Sequence, residues 1–315
     1  MKRYLQIFLL AWSATAGAMA QESQTVYNFL RLPMSAHAAA LGGDNITIID
    51  DDATLVFANP ALLSSVSDKT IALSYMNYMS GANLAGAVFN RIVKEKCSWA
   101  VSAQYLDYGK MKETDASNVQ TGEFSAKDIA LNGHFSYMLS NKFVGGISVK
   151  LINSYIGSYS SLAMGVDLGL NYYDADREWS VSAVAKNLGG QLKAFDEDYE
   201  AMPLDLQVGA SKQFEHLPVR LSATLVDLNH WHYSFFKHMV VGADILLSQS
   251  IWIGAGYNFR RADEMTLGEG DNESSHGAGF SFGAGLNLER FKLNLAYGKY
   301  HVASSSLSVN VAYSL

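Results

Sequence analysis

The sequence predicts an all-β protein, a transmembrane antiparallel β-barrel of about 14 strands with an N-terminal plug in its lumen. Three observations lead to this prediction. Apolar residues alternate with small or polar ones from residue 70 onward, long and short connections alternate, and residues 21–68 do not share that alternation. Period two places successive side chains on opposite faces of a strand. A closed barrel with both ends on one side needs an even number of strands.

The first residues indicate export. A basic pair, Lys2-Arg3, precedes a mostly apolar run at residues 4–16, and the small residues at 18–20 fit a cleavage site. We therefore expect a signal peptide at residues 1–20 that is removed. The apolar run is too short for a transmembrane helix.

Residues 21–68 form the predicted plug, and residues 69–315 form the predicted barrel. The block at 30–63 contains the pair Gly42-Gly43, an acidic run at 50–52 and the turn Asn59-Pro60-Ala61. Glycine and proline divide it into short pieces, whose apolar residues need burial. We expect these pieces to fold inside the space that the later strands enclose.

Fourteen strands are predicted, and their connections differ in length. The predicted centres are residues 74, 87, 101, 132, 148, 167, 183, 209, 223, 242, 255, 283, 295 and 310. The longest connections are predicted at 107–123, 188–203, 228–238 and 260–277, whereas turns such as 140–142 and 289–290 are short and polar. Long loops on one side and short turns on the other are typical of outer-membrane barrels.

Nearly every predicted strand has one apolar face and one small or polar face. A soluble β-sandwich has alternating strands too. Here, however, the second face carries more Gly, Ala and Ser than a solvated surface normally does. Aromatic residues at the predicted periplasmic strand ends form a girdle. They are Trp99, Tyr137, Phe143, Tyr172, Trp179, Phe291 and Tyr313.

The predicted inward face carries charges of both signs. We expect them to pair with one another or with Asp50, Asp51 and Asp52 of the plug, and a role in conduction or ligand binding is the alternative. The polar inward residues are Asp128, Asn132, His134, Lys150, Asp167, Asn171, Lys186, Asp205, Gln207, Arg220, Asp244, Asn258, Lys292 and Asn294.

The motifs predict no enzyme, no cofactor and no metal site. The string Gly279–Gly283 matches G-x-S-x-G, but it lies inside an alternating strand and not at the strained turn that a nucleophile elbow requires. Neither His230, His232 and His238 nor the acidic run Asp50–Asp52 has diagnostic metal-ligand spacing. The net charge of −7, without a basic cluster, argues against nucleic acid as a partner.

Two stretches of the predicted plug carry a family resemblance. FLRLPMSAHAAALGG at 29–43 and DDDATLVFANPALLS at 50–64 resemble the N-terminal signature of the PorV/PorQ family, with weaker matches at 186–190 and 254–260. That family comprises outer-membrane proteins of the type IX secretion system of Bacteroidetes, similar in architecture to FadL-type barrels. Within it, the FLRLP opening and the length are closer to the PorQ members. The motif residues are Leu30, Pro33, Gly42, Gly43, Asn59, Pro60 and Ala61.

The resemblance implies a binding and anchoring function at the cell surface. The implied partners are a PorZ-like surface protein, other type IX components, lipopolysaccharide and outer-membrane lipid. Two alternatives stay open: a FadL-like transporter of hydrophobic small molecules, and a PorV-like shuttle that binds cargo signal domains. A transporter needs an apolar internal pocket and a lateral opening, whereas an anchor needs a stable plug and a projecting surface. The small or polar inward face favours the anchor.

The connection after the ninth strand is the candidate partner-binding loop. Its aromatic side chains are Trp231, Tyr233, Phe235 and Phe236. Large rigid aromatics carry much of the binding energy in protein interfaces. Anchoring at the membrane interface is the alternative, since Tyr and Trp suit the headgroup level.

Overall fold

The structure is a computed structural model that describes residues 25–79, 81–117, 119–248, 250–265, 277–301 and 304–315. The predicted signal peptide lies outside the described residues. In the described chain, fourteen antiparallel strands close into a barrel in which β1 pairs with β14. The strands are β1 Thr70–Met79, β2 Ala82–Val93, β3 Cys97–Thr114, β4 Gln120–Met138, β5 Phe143–Ile156, β6 Tyr159–Asp174, β7 Trp179–Lys193, β8 Asp205–Gln213, β9 Val219–Leu225, β10 Met239–Leu246, β11 Ile251–Asn258, β12 Phe280–Asn287, β13 Phe291–His301 and β14 Ser304–Ser314.

The predicted barrel is confirmed, and each predicted centre falls inside the strand of the same order. Two predicted loops are partly wrong. Most of 107–123 is a hairpin formed by the ends of β3 and β4, and β7 extends to Lys193, into the predicted loop at 188–203. The reason is that both faces of these strand ends are largely exposed, so the alternation that marks a membrane strand is lost there. In the predicted loop at 260–277, helix α2 (Phe259–Glu264) covers the first part, and 266–276 lie outside the described residues.

Side-chain burial follows the predicted alternation. On β4, Leu131 is 55% exposed, whereas the next residue, Asn132, is 5% exposed. An apolar outer face suits the hydrocarbon of a membrane, and closure of the sheet removes its edges. At the short-turn end, Phe143 and Tyr172 are cross-strand partners with ring centroids 4.9 Å apart, as the predicted girdle requires. Among the described residues, no helix is both long and apolar enough to cross a membrane.

The plug, defined here as residues 25–68, lies inside the barrel. Its apolar side chains are buried, and Leu41, Ile48 and Leu62 belong to a cluster in which plug residues pack against one another. The plug is built from short helical pieces joined by irregular segments. They are the 3₁₀-helix Asn28–Arg31, helix α1 (Ala36–Ala40) and the 3₁₀-helices Ala53–Phe57 and Pro60–Ser65.

Side-chain caps explain where these pieces begin. The side chains of Ser35, Asp52 and Asn59 each accept a hydrogen bond from a backbone N–H of the first turn that follows. Such caps satisfy donors that a helix start leaves unpaired. Pro60 fits the first position of its helix because no N–H is needed there.

The plug runs through the barrel from the long-loop end to the short-turn end. Thr25 forms an isolated bridge with Ala201 in the connection between β7 and β8. At the other end, Ser67 leads into β1, whose first residue, Thr70, pairs with Ser314 at the end of β14. Long loops of such barrels are extracellular. The first described residues of the plug therefore lie near the extracellular end.

Glycines of the barrel wall make room for the plug. A Cβ at Gly146 on β5 would collide with the backbone of Pro60 and Ala61, and one at Gly256 on β11 would collide with the backbone of Leu41. No side chain fits at either position unless the plug moves. The glycine-rich inward face thus reflects close packing against the plug and not a solvated channel.

Candidate functional site at the plug–barrel interface

Four ionisable side chains join the plug to the wall, and we call them the ionic latch: His37, Asp50, Arg220 and Asp244. His37 Nδ1 lies 3.0 Å from Asp50 Oδ2, and its Nε2 lies 3.0 Å from Asp244 Oδ1. Arg220 Nε and Nη2 each lie 2.8 Å from Asp244 Oδ2. Arg220 Nη2 is also 3.6 Å from Asp50 Oδ2. Two cations and two carboxylates therefore alternate around one ring, in which Asp50 is 27% exposed and the other three side chains are buried.

The latch carries its full charge at neutral pH. Burial lowers the pKa of His37, but Asp244 and Asp50 raise it by more, to about 9. Burial raises the pKa of Asp50, but Arg220 and His37 lower it by more, to about 2. A protonated imidazole donates from both nitrogens, and each nitrogen has a carboxylate here. Trp252 stacks on the His37 ring with centroids 3.7 Å apart, a further favourable contact for a cation.

A second ionic contact lies nearer the short-turn end. Asp51 pairs with Lys292 of β13 and accepts hydrogen bonds from the backbone N–H and the hydroxyl of Ser67. Burial raises the pKa of Asp51, but the hydrogen bonds from Lys292 and Ser67 lower it by more. The predicted pairing with barrel cations is thus confirmed for Asp50 and Asp51. It is wrong for Asp52, whose carboxylate accepts from Ser35 and caps a helix start instead.

The segment 186–190 builds a polar cluster within the wall. Asn187 has a left-handed backbone (φ 59°) beside a register shift between β6 and β7. Its N–H donates to Asp167 Oδ1 at 2.7 Å, and its side-chain oxygen accepts from Lys150 Nζ at 2.8 Å. Lys150 Nζ lies 2.7 Å from Asp167 Oδ2. This ion pair links two strands of the wall and, unlike the latch, includes no plug residue.

Little free space remains between the plug and strands β3, β5 and β7. The cavity there has a volume of about 20 Å³ and is lined in part by Leu30, Pro33, Arg31, Lys150 and Lys186. Such a volume holds one or two water molecules. Pockets for drug-sized ligands measure roughly 300–1,000 Å³. In this conformation the cavity is too small and too cationic for a hydrocarbon ligand.

The predicted plug motif lies along this interface. Gly42 has a positive φ of 105°, and its carbonyl accepts hydrogen bonds from Asn258 Nδ2 at 3.1 Å and Arg261 Nη1 at 3.3 Å. A Cβ at Gly42 would collide with Val240, so both its backbone angle and its contacts require glycine. Gly43 also has a positive φ, of 101°.

The aromatic loop, residues 228–236, divides into two parts. Trp231 is 80% exposed and makes no ring contact with the described residues. Phe236 instead continues a chain of ring contacts through Phe259 and Tyr257 to the outward-facing Phe280, with centroids 6.3, 4.8 and 4.7 Å apart. Phe236 therefore extends the membrane-facing aromatic surface, while Trp231 projects from the protein surface.

The remaining side chains near this loop have structural partners. His230 Nδ1 lies 2.7 Å from Asp227 Oδ1, and buried His238 donates from Nδ1 to the carbonyl of Val226 at 2.8 Å. Half-buried Tyr233 packs on His232 with ring centroids 4.5 Å apart, and Phe235 is exposed. Within the described residues, no group of side chains is arranged to hold a metal ion.

Sequence reasoning identified three members of the latch and missed the fourth. Arg220 and Asp244 were predicted to face inward, and Asp50 was predicted to pair with inward charges. The missed residue, His37, lies in a run of alanines, and such a run predicts close packing and not an ion pair. The one sign of an ionic contact in this segment was the presence of a single imidazole among small residues.

Ser281 of the G-x-S-x-G string lies within β12, as predicted. Its hydroxyl is buried and donates to the carbonyl of Ala40 in the plug at 3.1 Å. The string therefore contributes another plug–wall contact.

No family model and no curated protein matches the chain. Several solved structures are similar in fold. The toluene transporter TodX of Pseudomonas putida has a TM-score of 0.56 at 15% identity, covering 89% of this chain and 97% of that chain. A FadL homologue of Pseudomonas aeruginosa has a TM-score of 0.55 at 12% identity, covering 95% and 99%. The monoaromatic hydrocarbon channel CymD has a TM-score of 0.56 at 14% identity, covering 89% and 96%.

At these identities the likeness shows the fold, which is that of FadL-like barrels. A closed barrel of this kind with an apolar outer face belongs to the bacterial outer membrane. The protein is therefore a β-barrel of the bacterial outer membrane with a FadL-like fold.

Proposed function

We propose that the protein anchors a surface partner in the outer membrane, as a component of the type IX secretion system. The observation that carries this proposal is the plug inside the lumen, which is held by the ionic latch and by close packing against wall glycines. An anchor needs a rigid barrel with a projecting surface. The plug residues at 29–43 and 50–64 are also the ones that resemble the PorV/PorQ signature.

The extracellular loops of the barrel offer a surface for such a partner. Trp231 projects from the aromatic loop with 80% of its surface exposed. Within the described residues Trp231 makes no ring contact, so its indole is available to a partner. Large rigid aromatic side chains are enriched among the residues that carry most of the binding energy of an interface.

The second candidate function is transport of a hydrophobic small molecule. The fold likeness to a toluene transporter and to a monoaromatic hydrocarbon channel favours it. Passage of such a molecule through the cavity beside the plug requires the plug to move, because its volume of about 20 Å³ admits only water. A shuttle that binds cargo signal domains is compatible with the same exposed loops.

The test is purification of the full-length protein from detergent-solubilised outer membranes, followed by mass spectrometry of proteins and lipids. The anchor predicts recovery of a PorZ-like surface protein. Trp231→Ala should release that protein, since one such truncation costs about 2 kcal/mol or more. Phe236→Ala is the matched control, because Phe236 belongs to the membrane-facing ring chain.

Barrel abundance and heat-modifiable gel mobility should be unchanged in both variants. Recovery of the barrel alone with a bound hydrophobic molecule would support the transporter instead. Retention of the partner by Trp231→Ala would place the binding surface elsewhere on the extracellular side.

A further inference from the structure

The ends of β3 and β4 form a two-stranded ribbon beyond the rest of the barrel, which we define as residues 110–114 and 120–125. β3 and β4 have 18 and 19 residues, whereas a membrane strand needs about 9–11. Five residue pairs, from Lys110↔Ser125 to Thr114↔Gln120, hold the ribbon together. At about 3.4 Å per residue, the ribbon extends roughly 17 Å.

Both edges of the ribbon lack a neighbouring strand. The β2–β3 ladder ends at Asn83↔Asp107, and the β4–β5 ladder ends at Ile156↔Ala126. At the base of the ribbon the N–H of Gly157 donates to the carbonyl of Ser125 at 2.9 Å, and beyond that bond neither ladder reaches the ribbon in the described chain. An unpaired edge presents backbone N–H and C=O groups that can bind another strand.

The two edges differ in how open they are to pairing. The β3 edge carries Lys110, Lys112 and Glu113, and charged side chains discourage strand addition. The β4 edge, residues 120–125, has the sequence QTGEFS with one charge. The β4 edge is therefore the better template.

A groove of about 720 Å³ follows the β4 edge. One wall is the ribbon, and the other is the turn between β5 and β6. The aromatic and aliphatic side chains in the lining are Phe124, Ile156 and Tyr159, of which Ile156 is 42% and Tyr159 57% exposed. A strand that adds to a sheet is recognised by main-chain hydrogen bonds to the open edge and by pockets for its alternate side chains. The β4 edge and the apolar side chains beside it provide both features.

The charges of the groove indicate the chemistry of its occupant. Lys110 Nζ is paired with Glu123 Oε2 at 3.1 Å. Glu113 also lines the groove, and its carboxylate has no ion-pair or hydrogen-bond partner among the described residues. The groove thus offers one free carboxylate next to an apolar floor.

We infer that the β4 edge of the ribbon binds an extended segment of a surface protein, which adds to the sheet as a strand. The segment carries an apolar side chain that contacts Phe124 and Tyr159 and a basic side chain that pairs with Glu113. This inference rests on the proposed function for the presence of a surface partner, but it concerns a site separate from Trp231.

The first test places a photo-reactive phenylalanine analogue at Tyr159 of the full-length protein in intact cells. The control carries it at Tyr297, an outward-facing residue of β13. The expected result is a cross-link from position 159, absent from 297, to one segment of a surface protein that contains apolar and basic residues. Cross-links to lipopolysaccharide alone, to a second copy of this chain, or to nothing would overturn the inference.

The second test asks whether the segment binds as a strand. The cross-linked segment, synthesised as a peptide, is added to the purified full-length barrel, and backbone hydrogen exchange is measured. Exchange should slow at residues 120–125 and stay unchanged at 110–114. Glu113→Lys should weaken peptide binding about tenfold, because it replaces an attractive contact with the basic side chain of the segment by a repulsive one. Lys112→Glu is the matched control on the same hairpin and should bind normally.

These outcomes separate the inference from the proposed function. If Trp231→Ala releases the surface partner while Glu113→Lys and the exchange at 120–125 have no effect, the anchor stands and the ribbon site is wrong. If position 159 cross-links a protein unrelated to type IX secretion, the ribbon site stands and the proposed function is wrong.

Discussion

Asp244→Asn is the substitution that most directly tests the ionic latch. In the native structure two cations, His37 and Arg220, are balanced by Asp244 and Asp50. The substitution keeps the side-chain shape but leaves a net charge of +1 in a largely buried ring. An amide also presents an oxygen to one cation and an NH₂ group to the other, so one of the two native contacts becomes repulsive.

The expected loss follows from the burial of the groups. Asp244 and His37 side chains are each 1% exposed, so water cannot replace the lost carboxylate. Breaking a buried pair by removing one partner costs about 3–5 kcal/mol. We expect about 3 kcal/mol, because Asp50 still neutralises one cation. At 1.4 kcal/mol per factor of ten, the population with a released plug should rise about a hundredfold.

Hydrogen exchange of the folded protein in detergent measures this effect. Amides at residues 36–52 should exchange about a hundredfold faster in Asp244→Asn. Asp167→Asn is the matched control, because it removes an equally buried carboxylate from Lys150 within the wall. That variant should loosen β6 and β7 without releasing 36–52. Equal exchange at 36–52 in Asp244→Asn and the native protein would refute the reasoning.

A double variant separates charge imbalance from lost packing. Arg220→Gln combined with Asp244→Asn removes one cation and one carboxylate, which leaves His37 paired with Asp50. Part of the lost protection from exchange should return, because the free-energy changes of substitutions within one network are not additive. If the loss of protection at residues 36–52 in the double variant equals the sum of the losses in the two single variants, the latch does not act as a unit.

The latch also predicts how plug stability depends on pH. The pKa of His37 is raised from 6.5 to about 9, so its contribution is complete below pH 6.5 and is lost as the pH rises through 9. The pKa of Asp50 is lowered from 3.8 to about 2, so its contribution is complete above pH 3.8 and is lost as the pH falls through 2. Exchange at 36–52 should be slowest between pH 3.8 and 6.5, after correction for the intrinsic rate. His37→Gln should abolish the alkaline loss.

Two further substitutions test the packing and the membrane face. Gly146→Ala should cost about 1–3 kcal/mol of plug stability, because the new methyl group collides with the Pro60 backbone. Gly133→Ala, where a Cβ has open space, is its control, and equal protease resistance of the plug in both would contradict the fit. Leu131→Arg on the lipid face should cost about 2–4 kcal/mol near mid-membrane and deplete the folded barrel from outer membranes. Leu131→Ala should leave its level nearly unchanged.

The sequence by itself determined the barrel, the strand count and the face that each strand residue takes. Those features depend on period-two alternation, which is a local property and is visible in the chain. It also located the plug motif. Gly42, Asn59 and Pro60 are residue types that mark turns and helix starts, because each favours backbone conformations that other residues adopt less readily. The alternation failed at the ends of β3, β4 and β7, where strands leave the membrane and both faces meet water.

Only the tertiary structure decided which charges meet. His37 and Asp244 are 207 positions apart, and their contact depends on how the plug is oriented in the closed barrel. The same applies to the groove beside the β4 edge, which exists because two neighbouring ladders end before the β3–β4 ladder does. Composition predicts that buried charges have partners, since unpaired ones are too costly to bury. The choice of partner is set by three-dimensional proximity, which no local pattern in the chain records.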